Sequence, residues 1–338
     1  MSKYARIRTQ KLIHPCLEAD LRTPLLVPSF STKAIRAITL DELRARSHQL
    51  FDQFAYQFQE AFLISAYDYE EGYIPKIKTD NCDAFVFIDS GGYETSTLED
   101  VSEIYQSFPP KNEWSACSQN KVLDAWPDEM PAVFVNHDSG KLRESLEEQF
   151  YKALAQKDSR SNQLWTILLK PETHGTSLSL AITKLNRFKS ELSQFDIIGV
   201  TEKEIGKSAQ ERISHVALLR KTLDDLGVFA PIHIFGSLDP TSVKLYALAG
   251  AEIFDGLSWL RFAFRENGCG YLHEEAFRIA PLLDDEEAQQ AIFARNVLQI
   301  QNLQSLLRES ADNRSIDKLS LLDIEEKLLN RALRIYSS

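Results

Sequence analysis

The chain has 338 residues, of which 43% are hydrophobic and 26% are charged, and this is enough apolar material to bury the core of one large domain or two smaller ones. Its formal net charge of −11 argues against nonspecific binding along a phosphate backbone. The sequence has no run of about 18 apolar residues and no apolar signal segment at its charged N-terminus, so we expect a cytoplasmic protein without a membrane span.

The charge is unevenly distributed along the chain. Residues 1–50 contain nine Lys or Arg and four Asp or Glu, so they carry +5 and the remainder carries −16. A basic surface on an acidic body is compatible with a specific nucleic-acid substrate, although an ordinary solvated face is the commoner explanation. The four cysteines, Cys16, Cys82, Cys117 and Cys269, lie far apart, so they suggest neither a disulfide framework nor a thiolate metal site.

Short apolar runs of the kind expected for buried strands alternate with amphipathic helical segments along most of the chain. The eight runs occupy residues 24–30, 61–67, 84–90, 131–138, 164–170, 195–201, 231–237 and 251–258. Helical patterns lie at 208–227 and at 238–250, and the second has the N-cap and N1 pair Asp239 and Pro240 and ends at Gly250. This alternation predicts a (β/α)8 barrel of parallel strands. The alternative is an open doubly wound sheet, for which no GxGxxG or GxxxxGK(S/T) loop is present.

The pattern changes at about residue 281. Two amphipathic helices, within 284–310 and 317–336, follow each other with the polar segment ADNRS between them. The sequence therefore predicts a barrel domain over 1–280 and C-terminal helices over 281–338, packed on the barrel or at a dimer surface.

Many of the apolar runs end in polar or glycine residues. Asp89 and Asp255 close two runs directly, and Asp138 lies at the end of a third. In a (β/α)8 barrel the carboxyl ends of the strands form the active-site face, so these positions are the ones to search for chemistry. A single Asp is more often an N-cap or a turn residue, but three on one rim favour a functional site.

Seven segments of the sequence carry a family resemblance. They are TPLLVPSFSTKAIR (23–36), IDSGGYE (88–94), AVFVNHD (132–138), IIGVTEKEIGKS (197–208), PIHIFGSLDPTSVKLYALAGAEIFDGLSWLR (231–261), ENGCGY (266–271) and LQIQNLQSLLRE (298–309). In this order they resemble motifs of the tRNA-guanine transglycosylase superfamily, which includes DNA-guanine transglycosylases. The resemblance spans roughly residues 20–310, and its most specific part is DSGG followed downstream by FD and by a basic residue six places after that Asp.

The resemblance implies a reaction in which a guanine in a nucleic acid is exchanged for a 7-deazaguanine. Asp255 matches the nucleophile that attacks C1′ of the ribose and displaces the base. Asp89 matches the carboxyl group that accepts a proton from the incoming base and donates one to the leaving base. Two displacements through a covalent intermediate retain the configuration at the sugar. Arg261 matches a basic residue that would keep Asp255 ionised or bind phosphate.

The resemblance also implies a binding site for a flat base. Its residues would be Ser90, Gly91, Gly92, Tyr93, Glu94, Asp138, Lys170, Phe235, Gly236 and Arg261 and, through their backbone, Gly199 and Val200. Tyr93 and Phe235 would sandwich the ring, and Asp138 would bind its amino edge. Gly91 and Gly92 would let the backbone approach the base. Either aromatic residue taken alone is more often a core residue.

The sequence departs from the family pattern at the metal site and in the base pocket. The cysteine ligands of the family's zinc site are missing and Gln301 stands at the position of its histidine, so we predict no zinc and no other cofactor. Glu94 replaces one amide of the pocket, and Leu169 or Lys170 replaces another. These changes should alter which base is accepted. Glu94 either faces a cationic aminomethyl-type substituent or points to solvent.

Several functions stay open on the sequence alone. The first is base exchange with a nucleic acid, tRNA or DNA, and a 7-deazaguanine-type base as partners. A DNA-specific insertion within a modification or defence system is a variant of it. The alternatives are an N-glycosidase that releases the base to water, a non-catalytic partner subunit, and an unrelated barrel hydrolase. The missing zinc region leaves open whether the protein acts as a homodimer or with a partner subunit.

Overall fold

A computed structural model describes residues 7–78, 83–95, 113–138, 143–266 and 268–336. The described residues do not include Cys82, Asn267 of the ENGCGY segment, or the first six residues of the chain, which belong to the positively charged stretch 1–50.

The described chain begins with an antiparallel hairpin of two strands, β1 (Lys11–Ile13) and β2 (Asp20–Arg22). Eight parallel strands of the described residues follow and close into a barrel. They are β3 (Leu25–Phe30), β4 (Ala61–Ser65), β5 (Phe85–Asp89), β6 (Ala132–Val135), β7 (Leu164–Leu169), β8 (Ile197–Thr201), β9 (Ile232–Phe235) and β10 (Ile253–Gly256). β10 pairs with both β9 and β3, which completes the ring. All eight apolar runs are therefore barrel strands, and the predicted (β/α)8 fold is confirmed over the open sheet.

Helices connect the strands and follow the barrel at its C-terminal end. They are α1 (Leu40–Phe54), α2 (Ala66–Glu70), α3 (Gly92–Thr95), α4 (Ala116–Asp124), α5 (Leu146–Asp158), α6 (Ser179–Ile182), α7 (Lys189–Leu192), α8 (Glu202–Ile205), α9 (Ala209–Leu226), α10 (Pro240–Ala249), α11 (Ser258–Arg261), α12 (Leu272–Ile279), α13 (Asp285–Asn313) and α14 (Asp323–Ala332). A second hairpin, β11 (Phe262–Arg265) and β12 (Gly268–Tyr271), lies between α11 and α12. Among the described helices, none is long and apolar enough to cross a membrane.

The ends of α10 are determined by its own sequence. The Asp239 side chain accepts hydrogen bonds from the backbone N–H groups of Thr241 and Ser242, and Pro240 occupies the first turn, where no N–H partner is needed. Gly250 ends the helix with φ +111°, in the left-handed region that glycine adopts without the cost of a Cβ clash. The helix predicted at 238–250 is therefore confirmed with its caps.

The barrel strands are buried on both faces. Leu25 and Val27 of β3 face the barrel interior, whereas Leu26 and Phe30 face the surrounding helices. Because both faces are covered, the sequence of each strand is a continuous apolar run and does not alternate between apolar and polar residues. The two-residue period of a strand also places Asp255, two residues after the interior residue Ile253, inside the mouth of the barrel.

The hairpin β1–β2 covers the end of the barrel opposite the carboxyl ends of the strands. Leu21 of β2 joins the interior apolar cluster, and the ring of His14 lies 2.8 Å from the Gln163 side chain just before β7. A cavity of about 500 Å³ lies between β1 and residues 227–231, so it is remote from Asp89 and Asp255. The carboxyl ends of the strands, where a barrel carries its chemistry, lie at the other end.

The C-terminal helices pack on the barrel. α13 contacts β3, β11 and α10, and α14 contacts α9 and α10. The Gln304 side chain of α13 accepts a hydrogen bond from the backbone of Leu26 at 2.7 Å. Asn296 of the same helix is fully buried and bonds to the backbone of Trp259, Phe262 and Phe264. α13 therefore holds the segment that follows Asp255.

Candidate active site

Asp255 lies near the carboxyl end of β10, inside the barrel mouth, where three neighbours orient its carboxylate. Ser29 donates its hydroxyl to Oδ2 at 2.9 Å, and the backbone N–H of Gly236 donates to Oδ1 at 3.2 Å. Nε2 of His233 lies 3.0 Å from the same Oδ1. The Asp255 side chain is 8% exposed, so its carboxylate is held at the edge of the interior and still reaches the mouth.

Asp89 ends β5 at the same mouth. The pKa of Asp89 is raised to about 7, first by burial and then by the nearby carboxylates of Glu94, Asp255 and Asp138, against the opposing hydrogen bond from the backbone of Ser90. A carboxyl group with a pKa near neutrality can both give and take a proton at physiological pH, which is the property that a proton carrier needs.

Glu94 and Asp68 form a buried carboxyl pair beside Asp89. Ser31 donates its hydroxyl to Glu94 Oε1 at 2.7 Å, while Glu94 Oε2 is buried and accepts no hydrogen bond from the described residues. Thr32 contacts the carboxyl group of Asp68 through its backbone N–H and its hydroxyl, both at 2.9 Å. Burial and then Glu94 raise the pKa of Asp68 to about 8. Glu94 is 6% exposed, so the alternative that it points to solvent is wrong.

Asp68 was missed by the sequence analysis. It directly follows the apolar run at 61–67, so the signal was the same strand-end carboxylate that marked Asp89 and Asp255. The structure places it on α2, fully buried, one strand away from Asp89.

Lys170 links two carboxylates at the mouth. Its ammonium lies 2.9 Å from Asp138 Oδ2 and 3.0 Å from Glu204 Oε2, and Glu204 also pairs with Arg143. Burial alone would lower the pKa of Lys170, but the two carboxylates outweigh burial and the pKa is raised. The predicted residues Asp138 and Lys170 are therefore together, as an ion pair, and Glu204 is a third member that the sequence analysis missed.

The two glycines of the DSGG segment make room for protein groups. A Cβ on Gly91, whose φ is +81°, would lie 2.8 Å from the side chains of both Trp114 and Tyr67. A Cβ on Gly92 would lie 2.4 Å from the backbone oxygen of Asp138. The close approach of a base is thus not needed to explain either glycine. Gly236 also has a positive φ, +82°, but a Cβ on it would meet no atom within 4 Å, and its backbone N–H donates to Asp255.

Tyr93 and Arg261 contact each other at the mouth. Arg261 donates to the Tyr93 hydroxyl and to the backbone oxygen of Lys33, both at 3.2 Å. The Lys33 ammonium lies 5.6 Å from the centre of the Tyr93 ring. The described partners of Asp255 are Ser29, Gly236 and His233, so the structure does not bring Arg261 to its carboxylate.

Phe235 packs against the barrel interior. Its ring stacks on His233 with the ring centres 3.8 Å apart and the planes inclined by 30°. A Cβ on Gly199 would lie 2.6 Å from the Phe235 ring, so Gly199 makes space for that ring. Gly199 and Val200 both lie in the ladder between β7 and β9, and the Val200 side chain faces the helices. Both residues are therefore part of the strand pairing, and a contact of their backbone with a base stays a prediction.

Within the described ranges, no group of three or more His, Cys, Asp or Glu is arranged to hold a metal ion. Gln301, at the position of the family's histidine ligand, lies on α13 and donates to the backbone of Gln57 at 3.2 Å. The absence of zinc and of other cofactors stays a prediction.

The chain was compared with known proteins. No protein-family model matches it, and no curated protein matches it significantly. The closed (β/α)8 barrel is a fold that commonly carries enzymes, with the catalytic residues at the carboxyl ends of the strands. Asp89, Asp138 and Asp255 lie at that end, and the function must be argued from them.

Proposed function

We propose that the protein exchanges a guanine in a nucleic acid for a 7-deazaguanine-type base through a covalent ester with Asp255. The observation that carries the proposal is the pair of strand-end carboxyl groups at one mouth. Asp255 is oriented by contacts with Ser29, Gly236 and His233, and Asp89 has a pKa of about 7. A substitution at a sugar carbon that proceeds in two displacements needs one nucleophile and one proton carrier.

Asp255 is the nucleophile in this proposal. A carboxylate oxygen forms a bond to C1′ of the ribose while the bond from C1′ to the guanine nitrogen breaks. The electron pair of that bond leaves with the base. The open backbone at Gly236 provides room for the sugar next to the carboxylate. The glycosyl ester is then attacked by the incoming base, which releases Asp255.

Asp89 carries the proton in both directions. In its protonated form it donates to the departing guanine, and as the resulting carboxylate it takes the ring N–H proton of the incoming base. The proton is therefore conserved over the complete exchange. A pKa of about 7 makes both forms accessible at neutral pH.

The remaining side chains of the mouth suit a flat heterocycle with polar edges. Tyr93 and Phe235 supply aromatic surface, and the ion pair of Asp138 and Lys170 offers an acceptor for amino groups and a donor for a carbonyl oxygen. The family resemblance assigns the base-stacking role to the same two aromatic residues. No curated protein matches significantly, so the proposal depends on these residues and on the resemblance of their motifs to the family.

The test is incorporation of a labelled 7-deazaguanine-type base into purified tRNA and, separately, into duplex DNA. We expect incorporation by the unaltered protein into one of the two, and loss of incorporation in Asp255→Ala and Asp89→Ala. Asp312→Ala, a half-exposed carboxylate paired with Arg22, is the matched control and should incorporate normally. Mass spectrometry of the nucleosides identifies the substrate.

The outcomes separate the alternatives. Release of guanine without incorporation of the label would replace base exchange by N-glycosidase activity. Unimpaired incorporation by Asp255→Ala would remove Asp255 as the nucleophile. No incorporation and no release with either nucleic acid would favour a non-catalytic or unrelated function.

A further inference from the structure

His233 is a buried imidazole that lies directly behind the candidate nucleophile. It is fully buried in the interior of the barrel, on β9, and its Nε2 lies 3.0 Å from Asp255 Oδ1. A polar side chain in a barrel interior loses its hydration, so it is retained there only when its partner compensates the cost. The partner of His233 among the described residues is Asp255.

The surroundings of the ring determine which nitrogen carries the proton. Nδ1 is buried and has no hydrogen-bond partner in the described part of the chain, while Nε2 faces a carboxylate oxygen. A proton on Nδ1 would therefore be buried without an acceptor, whereas a proton on Nε2 has one. We assign the Nε2–H tautomer, in which His233 donates to Asp255.

This donation makes the two oxygens of Asp255 unequal. Oδ1 accepts from His233 and from the backbone of Gly236, while Oδ2 accepts one described hydrogen bond, from Ser29. A carboxylate oxygen has two lone pairs, so the two donors occupy those of Oδ1 and leave one on Oδ2. Oδ2 is thus the oxygen that remains able to attack.

The same ring supports Phe235. The His233 and Phe235 rings stack with their centres 3.8 Å apart, and the edge of Phe235 lies in the space that Gly199 leaves open. Phe87 packs edge-to-face with His233, with the ring centres 5.6 Å apart. The imidazole therefore cannot move without disturbing both the Asp255 carboxylate and the Phe235 ring.

We propose that His233 is a positioning residue that couples the orientation of the Asp255 carboxylate to the position of the Phe235 ring. The inference rests on the proposed function, in which Asp255 is the nucleophile and the Phe235 ring stacks on the base. His233 itself touches neither the sugar nor the base. It acts on the reaction through these two residues.

Two substitutions separate its two contacts. His233→Phe keeps an aromatic ring next to Phe235 and removes the hydrogen-bond donor to Asp255. We expect kcat to fall about 100-fold, because a misplaced nucleophile slows the reaction by about that factor, and KM to change little. His233→Gln restores an N–H donor and removes the stacked ring, so kcat should recover by at least tenfold over His233→Phe while KM rises. This split between kcat and KM is not expected of a residue that only stabilises the fold.

His14 provides the matched control. It is also buried, its Nε2 lies 2.8 Å from one side-chain oxygen, and its ring contacts Phe85, but it lies at the opposite end of the barrel. His14→Phe should lower the melting temperature and leave kcat and KM at the wild-type values when activity is measured well below that temperature. Nitrogen-15 NMR of the histidines should show the proton of His233 on Nε2.

The possible failures can be told apart. A wild type that neither exchanges nor releases a base would overturn the proposed function. An active wild type with an equally active His233→Phe variant would overturn the role of His233 and leave the proposed function standing. An NMR signal that places the proton on Nδ1 would overturn the hydrogen-bond assignment, and it needs no activity to be observed.

Discussion

Asp68 and Asp89 are carboxyl groups that hold a proton near neutral pH. Their pKa values are raised to about 8 and about 7, in each case by burial first and by Glu94 next. The folded protein therefore binds these protons more tightly than the unfolded chain does. The stability that this binding contributes is complete below about pH 4, and it is lost as the pH rises through the folded pKa values.

The first prediction concerns this pH dependence. The melting temperature should fall between about pH 5 and about pH 9, and Asp68→Asn should reduce that fall, because a neutral amide replaces the acid in its protonated form. The control is Asp312→Asn. The hydrogen bond from Arg22 lowers the pKa of Asp312, so the contribution of Asp312 to folding stability is lost only in acid. If the melting temperature of Asp68→Asn falls with pH as steeply as that of the wild type, the raised pKa of Asp68 is contradicted.

The second prediction concerns the rate of the proposed exchange. Asp89 must be protonated to donate to the departing base, so single-turnover formation of the covalent adduct should fall about tenfold per pH unit above about pH 7. The adduct can be measured by rapid quenching and denaturing electrophoresis. Asp89→Asn should be slow and without this dependence. A rate that rises with pH would instead make Asp89 the base of the first step.

At the scale of elements, the start of α3 lies against the end of the β6 segment. A Cβ on Gly92 would lie 2.4 Å from the Asp138 backbone oxygen, a distance that real Cβ atoms do not show. Asp89 lies three residues before Gly92, and Asp138 lies three residues after the end of β6, so we expect a displacement at this contact to move the two carboxylates relative to each other.

The third prediction tests this contact. Gly92→Ala should lower the free energy of unfolding by about 2 kcal/mol, as expected when an atom is forced into a packed site, and should raise KM because Asp138 moves. Gly175→Ala is the comparison. Gly175 has φ +71° with open space around it, so its cost should be the backbone strain of about 1 kcal/mol without an effect on KM. Urea unfolding and steady-state kinetics measure both.

The fourth prediction concerns the contact of α13 with the segment after β10. Asn296 donates to the backbone oxygens of Trp259 and Phe262 and accepts from Phe264, all within 2.7 Å. Asn296→Asp would place a buried carboxylate against two carbonyl oxygens, so we expect a loss of about 3 kcal/mol or more in urea unfolding. The exposed Asn302 of the same helix gives the control Asn302→Asp, which should change stability by less than about 0.5 kcal/mol.

At the scale of the whole molecule, the question is whether the C-terminal helices fold with the barrel. Leu329 of α14 is fully buried, and the Lys244 ammonium of α10 bonds to the backbone of Leu319 at 3.3 Å. These contacts join the last helices to the barrel helices α9 and α10.

The fifth prediction follows from this packing. Leu329→Ala should lower the unfolding free energy of the barrel by about 2–5 kcal/mol, measured through the fluorescence of the buried Trp165 and Trp259. Leu322→Ala, at a half-exposed position, should have little effect. Separate transitions for the tryptophans and for the helical signal, with the tryptophan transition unchanged, would mean that the C-terminal helices form an independent unit.

Most of the fold could be predicted because its determinants are local. A strand of a barrel is covered on both sides, so each one appears as a continuous apolar run that ends where the chain reaches the rim. Asp239, Pro240 and Gly250 delimit α10 through contacts with their own neighbours. The positions of Asp89 and Asp255 at the rim follow from the same reasoning.

The site was only partly predictable, because its contacts join residues that are distant along the chain. Asp255 and Ser29 are 226 residues apart, and Ser31 and Glu94 are 63 residues apart. A local pattern contains no information on which of many side chains meets a given carboxylate. For this reason the sequence analysis found acids of the mouth but not their partners, such as Ser29 for Asp255 and Ser31 for Glu94.

The sequence by itself determined the barrel, its helix ends and the presence of acids at the strand ends, because these depend on burial pattern and on short-range backbone chemistry. Only the tertiary structure decided that Glu94 is buried, that Lys170 pairs with Asp138, and that His233 lies behind Asp255. The physical reason is that closing a barrel brings the ends of all its strands to one mouth. The protonation and orientation of each group there depend on neighbours from other strands.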